Sequence, residues 1–284
     1  MISMAREEVI QYFSDKAENY DDVDEQFYWN LSDELLWYML EKKVLPELDD
    51  SFRILDAGGG TGRWITKILR NKENAKGVLF DLSEEMLNQA REKVDTSIEN
   101  RIEIVQGDLN NIDSKLEKKF DLIISFHNVL GFVQNPENVV NDLEKLTHED
   151  SILVSFVPNK YHGVYFNQKI GKLNEAERIC SIEKGKFTED MPDINFFTPS
   201  KIESIYKNAG LETVETYGLP VSIYPGFKET QIEGNTKSLQ ETLSDKENFN
   251  RIREIEKSLI LDEEVASRGN NILAIGKKNK SLKD

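Results

Sequence analysis

The sequence predicts an α/β fold built on a parallel sheet with helices on both faces. Between about 51 and 160, short β-branched or apolar runs alternate with amphipathic stretches. Strands alternating with helices at this pitch imply right-handed crossovers and a parallel sheet. A hydrophobic share of 38%, with 14 Phe, is enough for a sizeable core. Four glycines also crowd into positions 58–62, directly behind the first apolar run, where a strand-to-helix turn belongs.

The elements follow in order. An aromatic-rich segment, NYDDVDEQFYWN (19–30), precedes LSDELLWYMLEKKVLPEL (31–48). The latter reads as a helix with Ser32 as its cap, Leu35, Leu36, Met39 and Leu40 on one face, and Pro46 past its end. FRILDA (52–57) is a strand, and TGRWITKILRN (61–71) a helix. KGVLFD (76–81) leads to a helix opened by Ser83, whose hydroxyl, with Glu84 and Glu85 behind it, suits free N–H groups. RIEIVQGD (101–108), FDLIISFH (120–127) and SILVSFVP (151–158) are further strands, with the helix PENVVNDLEKL before the last of them. Residues 159–198 lack clear periodicity and read as an irregular lid or binding loop. TPSKIESIYKNAG (198–210) is a helix stopped by Gly210, and LETVETYGL (211–219) a strand. Residues 228–265 read as mainly helical, and NNILAIGKK (270–278) as the last strand.

Formal net charge is −16, from 52 acidic and 36 basic residues. Nucleic-acid binders gain affinity by neutralising phosphates with clustered Lys and Arg. The basic clusters here, KLEKK (115–119) and KKNKSLKD (277–284), are small and read as solvated surface. Nucleic acid is therefore not the expected partner, although local patches keep RNA open. No apolar run approaches the roughly 18 residues of a membrane span. The start, MISMAREEVIQYF, carries acids where a secretory peptide has a basic stretch. A single cysteine, Cys180, leaves no internal disulfide and no cysteine-built metal site. A soluble protein of a reducing cytoplasm is expected, without a metal.

The glycine turn narrows the ligand. It aims free N–H groups at whatever lies against it and admits close approach to main chain. A dinucleotide loop needs a third glycine three positions after the second; counting from Gly58 and Gly60, that position is Arg63. A P-loop needs Lys and Ser or Thr after its last glycine, which Arg63 and Trp64 do not supply. Asp56, at the mouth of the strand, repels a pyrophosphate but suits a cationic ammonium. A ligand bearing both an amine and a carboxylate fits.

The string DAGGGTG (56–62) resembles the first motif of the class I S-adenosylmethionine-dependent methyltransferases. Further strings agree in order and spacing. DLSEEML (81–87) is similar to the second motif, QGDL (106–109) to the third, and FDLIISFHNVLGFV (120–133) to the segment around the fourth strand. The resemblance covers roughly residues 50 to 160 and implies a Rossmann-like, seven-stranded sheet, mostly parallel with the last strand antiparallel. It also implies S-adenosylmethionine as cofactor. Asp56, Gly58, Gly60 and Gly62 would meet its amino-acid end, and Asp81 the ribose hydroxyls. Leu82 and Met86 would border the adenine, Asp108 would accept from its amino group with Leu109 near the ring, and Ser125 and Phe126 would flank the methionyl part. A single domain over 1–284 is expected, with a helical cap (1–50), a cofactor-binding core (51–160), and acceptor-side insertions with the last strands (161–284).

The expected reaction is in-line methyl transfer to an oxygen or nitrogen of a small-molecule acceptor. His127, after the fourth strand, is the first candidate base, and His162 the second. Tyr161 is placed near the acceptor, and Tyr20, Tyr28 and Trp29 over it as a lid. SFHN stands where nucleobase and glutamine amino-methylating enzymes carry a proline-rich motif. LDAGGG, DLSEEM, FHNVLGFVQNP and NKYHGVYFN also resemble the bacterial tRNA methyltransferases that esterify a carboxymethoxy group on the wobble uridine. The final strand departs from that branch, since SRGNNILAIG lacks its basic and aromatic residues and Arg268 falls two positions early. tRNA is thus the second reading of the acceptor, and a non-catalytic cofactor-binding partner the third.

Overall fold

Apolar runs without alternation make strands buried on both faces. Arg53–Ala57 (β1), Lys76–Asp81 (β2), Ile102–Gln106 (β3), Phe120–Ser125 (β4) and Thr147–Pro158 (β5) form the parallel part of the sheet. The computed structural model describes residues 4–114, 116, 119–224 and 239–278. Most of KLEKK, the tail beyond 278, and 228–238 of the stretch read as helical lie outside the described residues.

Thr213–Leu219 (β6) and Asn271–Lys277 (β7) complete a seven-stranded sheet of order β3-β2-β1-β4-β5-β7-β6. β7 runs antiparallel to both β5 and β6, as expected. The strand order reverses between β1 and β4, so a crevice opens beyond their carboxyl ends.

Successive strand residues feed opposite faces. Ile54, Leu79, Leu122 and Ile124 pack with Phe27–Lys43 (α2) and Arg63–Asn71 (α3). Leu55, Val78, Phe80 and Ile123 pack with Pro136–Lys145 (α6) and Pro199–Asn208 (α9). Met4–Ser14 (α1), Glu84–Lys93 (α4) and the single turn Val129–Phe132 (α5) stand around the crevice. Ser83 caps α4 as expected, accepting from the Met86 amide.

Two expectations are corrected. Ser32 is not a cap: α2 begins at Phe27, and Ser32 is buried within it. The aromatic residues ahead of it join the helix because Tyr28 packs into the core. Residues 159–198 are also largely regular, forming Lys160–Lys169 (α7), Leu173–Ile182 (α8) and a two-stranded pair, Lys184–Gly185 with Ile194–Asn195. The buried face of α7 is His162, Gly163 and Asn167, so no apolar period announces it.

The chain leaving β6 is held by Leu239–Ser244 (α10) and Lys246–Leu259 (α11). Glu256 of α11 is fully buried; it accepts from the amides of Val221 and Ser222, both at 2.8 Å, and from the Ser222 hydroxyl at 2.5 Å. Glu256→Ala is expected to destabilise the fold by roughly 2–5 kcal/mol, because each buried donor left without a partner costs about 1–3 kcal/mol. A urea midpoint unchanged by the substitution would contradict this.

Candidate active site

The glycine turn adopts the conformation that only glycine tolerates well. Gly58, Gly60 and Gly62 have φ of +81°, +54° and +73°. The Gly58 and Gly59 amides donate to Phe80 O at 2.7 and 3.3 Å, and the Gly60 amide to Asp81 Oδ2 at 2.8 Å. The turn thus folds back over the end of β2. A Cβ on Gly58 would lie 2.5 Å from Val129 Cγ1, and one on Gly59 2.4 Å from Asp56 Cγ. At Gly60 the nearest atom is Met86 Sδ at 3.9 Å, leaving bare main chain against open space.

That space is a cavity of about 420 Å³ at the carboxyl ends of the strands. Three acids from adjacent strand ends reach it. Asp56 is buried, and Oδ2 accepts the Ile65 amide at 3.3 Å. Burial pushes its carboxyl up to about 7, against the pull of that amide, and the nearby Asp81 charge adds to the rise. Asp81 divides its oxygens between Gly60 N and Ser83 N, the latter at 2.9 Å; burial raises its pKa, and these amides oppose the rise. Asp108 accepts from Asn110 N and Nδ2 at 2.9 and 2.8 Å and meets Arg6 Nε of α1 at 2.8 Å.

Gly58, Gly60, Leu82, Met86, Leu109 and Phe126 line this cavity, with the three acids, Tyr20 and His127. Tyr20 is half-buried, and its desolvation in the crevice pushes its hydroxyl up to about 12. His127 and Asn128 hold φ of +50° and +69°, sparsely populated values for residues with side chains. Asn271 at the start of β7 steadies this bend, donating from Nδ2 to Asn128 Oδ1 at 2.6 Å. His127 Nε2 accepts from Trp64 Nε1 at 2.7 Å and lies 3.5 Å from Asp33 Oδ1. While Nε2 accepts that bond, the ring proton belongs on Nδ1. Binding a proton at Nε2 would turn that atom from the indole towards the Asp33 carboxylate.

Other candidates lie elsewhere. Gly62 packs under the turn, its would-be Cβ 3.3 Å from Ala90 Cβ. Ser125 is buried beside the cavity wall formed by Phe126, and its Oγ finds no partner among the described residues. His162 does not line the cavity. It is buried among Tyr165, Phe166, Phe187 and Tyr224, and burial, reinforced by Lys169, lowers its pKa to about 4. Tyr161 is exposed, whereas Tyr28 is buried in the core with Trp29 edge-on against it. Neither histidine position in α7 nor the aromatic pair in α2 therefore reaches the crevice, because both helices turn these side chains into packing.

Sequence reasoning missed Arg6 and Phe13 on α1, Arg63 and Trp64 after the glycine turn, Phe132 on α5, and Lys184, Lys186 and Asn195 from the small strand pair. Arg63 and Trp64 carried a usable signal, since the first turn of the helix after a ligand loop faces the ligand. The others come from distant segments. Among the described residues no group of three or more His, Cys, Asp or Glu could hold a metal ion, and no helix is long and apolar enough to cross a membrane.

Comparison with known proteins agrees with this geometry. A family model described as a methyltransferase domain matches residues 48–210, more than half of the chain. The tRNA 5-carboxymethoxyuridine methyltransferase of Escherichia coli (strain K12) is 27% identical over 168 residues, 56% of this chain and 63% of that relative. The match thus spans less than two thirds of the relative's length. The malonyl-[acyl-carrier protein] O-methyltransferase 1 of Ilyobacter polytropus is 26% identical over 237 residues, 76% of this chain and 84% of that one. In fold, the chain is similar to the plantazolicin methyltransferase BamL, solved with a triazolic desmethylPZN analog and SAH, with a TM-score of 0.57, 18% identity and 97% of each chain covered. The chain belongs to the methyltransferase domain family, as a class I S-adenosylmethionine-dependent methyltransferase.

Proposed function

We propose that this chain transfers a methyl group to an oxygen or nitrogen of a small-molecule acceptor. One observation carries the reading: the same cavity is lined by the glycine turn with its three acids and also by Phe132, Lys184 and Asn195 from outside the strand tips. The first set suits the cofactor, and the second a further molecule. An oxygen is favoured as acceptor atom, since the Ilyobacter relative is named for O-methylation and the tRNA relative for a carboxymethoxy group.

The residues present fit S-adenosylmethionine. Asp56 is a buried carboxylate whose one hydrogen bond among the described residues is long, and an ammonium beside it would supply the missing countercharge. Gly60 leaves main chain bare where a side chain would intrude. Asp81 would take ribose hydroxyls, Asp108 the adenine amino group, and Leu82, Met86 and Leu109 the faces of the ring. Bound there, the cofactor supplies a methyl carbon already activated by its sulfonium. The protein then has to align the acceptor and exclude water, a contribution of up to about 7–11 kcal/mol in well-oriented reactions. Phe13, Trp64, Phe126 and Phe132 wall the cavity with apolar surface. His127 is the group positioned to hold a proton at Nε2, with Asp33 near enough to stabilise the imidazolium.

A tRNA acceptor is the second reading, supported by the Escherichia coli relative. Against it stands the net charge of −16, which penalises approach of a polyanion.

Labelled S-adenosylmethionine incubated with cell extract, then fractionated by mass, tests the proposal. Label is expected in the small-molecule fraction. Label in RNA would replace this reading by the second, and cofactor binding without transfer would point to a non-catalytic partner. Asp81→Ala is expected to weaken S-adenosylhomocysteine binding by roughly 1–3 kcal/mol in calorimetry, the scale of charge-assisted bonds.

Asp56 adds a pH dependence. Its folded pKa of about 7 lies above the ordinary 3.8, so the neutral acid is the form that folding favours. Its share of stability is full below about pH 4 and is lost as pH rises through about 7. Pairing with an ammonium would restore the ionised form. Binding of S-adenosylhomocysteine at pH 6 is therefore expected to release a proton, read from calorimetry in buffers of different ionisation heat, and Asp56→Asn should abolish the release. Observed heats that do not change with the buffer's ionisation heat in the native protein would contradict the assignment.

A further inference from the structure

The cavity is lined by two lysines, Lys184 and Lys186, whose ammonium groups are not engaged in ion pairs among the described residues. Lys184 and Lys186 flank Gly185 in the small strand pair. A Cβ on Gly185 would lie 2.5 Å from Ile179 Cγ1 and from Glu175 Oε1, so that residue faces α8. Lys184 of that strand, exposed at its rim, and Lys186 just beyond the strand, half-buried, both line the cavity. The main chain of Lys186 is fixed, its amide donating to Glu175 Oε1 at 2.8 Å and its carbonyl accepting from Asn167 Nδ2 at 2.9 Å.

Neither ammonium makes an ion pair or hydrogen bond among the described residues, although most neighbouring charges do. Both lysines depress the Asp193 carboxyl, but Arg178 already binds that group through both oxygens, with Nη1 to Oδ1 at 2.9 Å. Glu8 of α1 lines the same cavity and stands beyond ion-pair reach of either lysine. Two like charges side by side repel each other unless an anion lies between them.

We propose that Lys184 and Lys186 are the specificity site for an acceptor that carries, besides the methylated atom, a carboxylate or phosphate group. The anion they hold is not the nucleophile, because an ammonium on the attacking atom would withdraw the electron density it needs. Asn195, in the facing strand, fixes the site to α5 through Gly131 O and Val133 O at 3.0 and 2.9 Å, so the lysines keep their place relative to the reacting end. The proposal rests on methyl transfer in this cavity.

Protein saturated with S-adenosylhomocysteine is titrated calorimetrically with malonate, inorganic phosphate and, as neutral control, malonamide. At least one anion is expected to bind tenfold or more tightly than malonamide, and which one does so identifies the anionic group. The variant K184Q/K186Q should lose that preference while keeping its affinity for S-adenosylhomocysteine. Equal binding of all three probes, or a preference that survives in the variant, would overturn the proposal. So would a bulk-tRNA gel shift that disappears in the variant while no small anion is preferred, since the lysines would then serve RNA phosphates. Failure of S-adenosylhomocysteine itself to bind would overturn methyl transfer along with it, which separates the two outcomes.

Discussion

The hydrogen bond from the Gly60 amide to Asp81 Oδ2, at 2.8 Å, ties together the two strand ends on which the cavity depends. It holds the turn after β1 against the tip of β2 and keeps main chain exposed between them. The turn can fold this closely because its glycines sit at positive φ, and because side chains at Gly58 and Gly59 would collide with Val129 and Asp56. Two acids are consequently drawn into one buried region. Burial raises both carboxyls and the Asp81 charge adds to the rise at Asp56, so the arrangement favours a cation nearby rather than an anion. A pyrophosphate-binding turn has the opposite electrostatic requirement.

Around this turn the N-terminal segment acts as a roof. Asp21, in the 3-10 turns between α1 and α2, accepts from Thr61 Oγ1 at 2.8 Å and pairs with Lys93 of α4. Arg63 opens α3 and reaches Asp33 of α2 at 2.6 Å. α1 lies further across, with Arg6 on Asp108, Ser14 on Glu85 at 2.7 Å, and Phe13 edge-on to Phe132 at 4.9 Å between ring centres. Its contacts therefore span the cavity from the tip of β3 to α5. Desolvation under such a roof strengthens each electrostatic contact within the cavity.

Polar groups that reach across long sequence distances tie the ends of the central strands together. Asn159 donates to the carbonyls of Ser267 and Gly269, and Asn271 holds the bend at Asn128. Such bonds are worth most where water is excluded, and a buried amide satisfied at both ends leaves little freedom to shift. Asn271 sets the position of His127 without touching it, because the bend that carries His127 and Asn128 is fixed from β7.

The strands were legible in the sequence as short continuous apolar runs, and the helices α3, α4, α6 and α9 as apolar stripes of helical period. So were Gly58, Gly60, Asp56, Asp81, Asp108 and the flanking Leu82, Met86, Leu109 and Phe126, because a ligand loop and the strand tips beside it are consecutive in the chain. The start of α2 and the helices α7 and α8 were not legible. The buried face of α7 is His162, Gly163 and Asn167, which give no apolar signal; α8 buries only Ala176 and Ile179, too few to mark a period; and in α2 a serine, Ser32, sits inside the helix where it reads as a cap. Only tertiary structure decided that His127 faces the cavity while His162, Tyr161, Tyr28 and Trp29 do not, and that Arg6, Lys184 and Lys186 do. Local sequence sets backbone conformation over a few residues. The direction of a single polar side chain depends on which distant segment packs beside it, and that is a property of the whole chain.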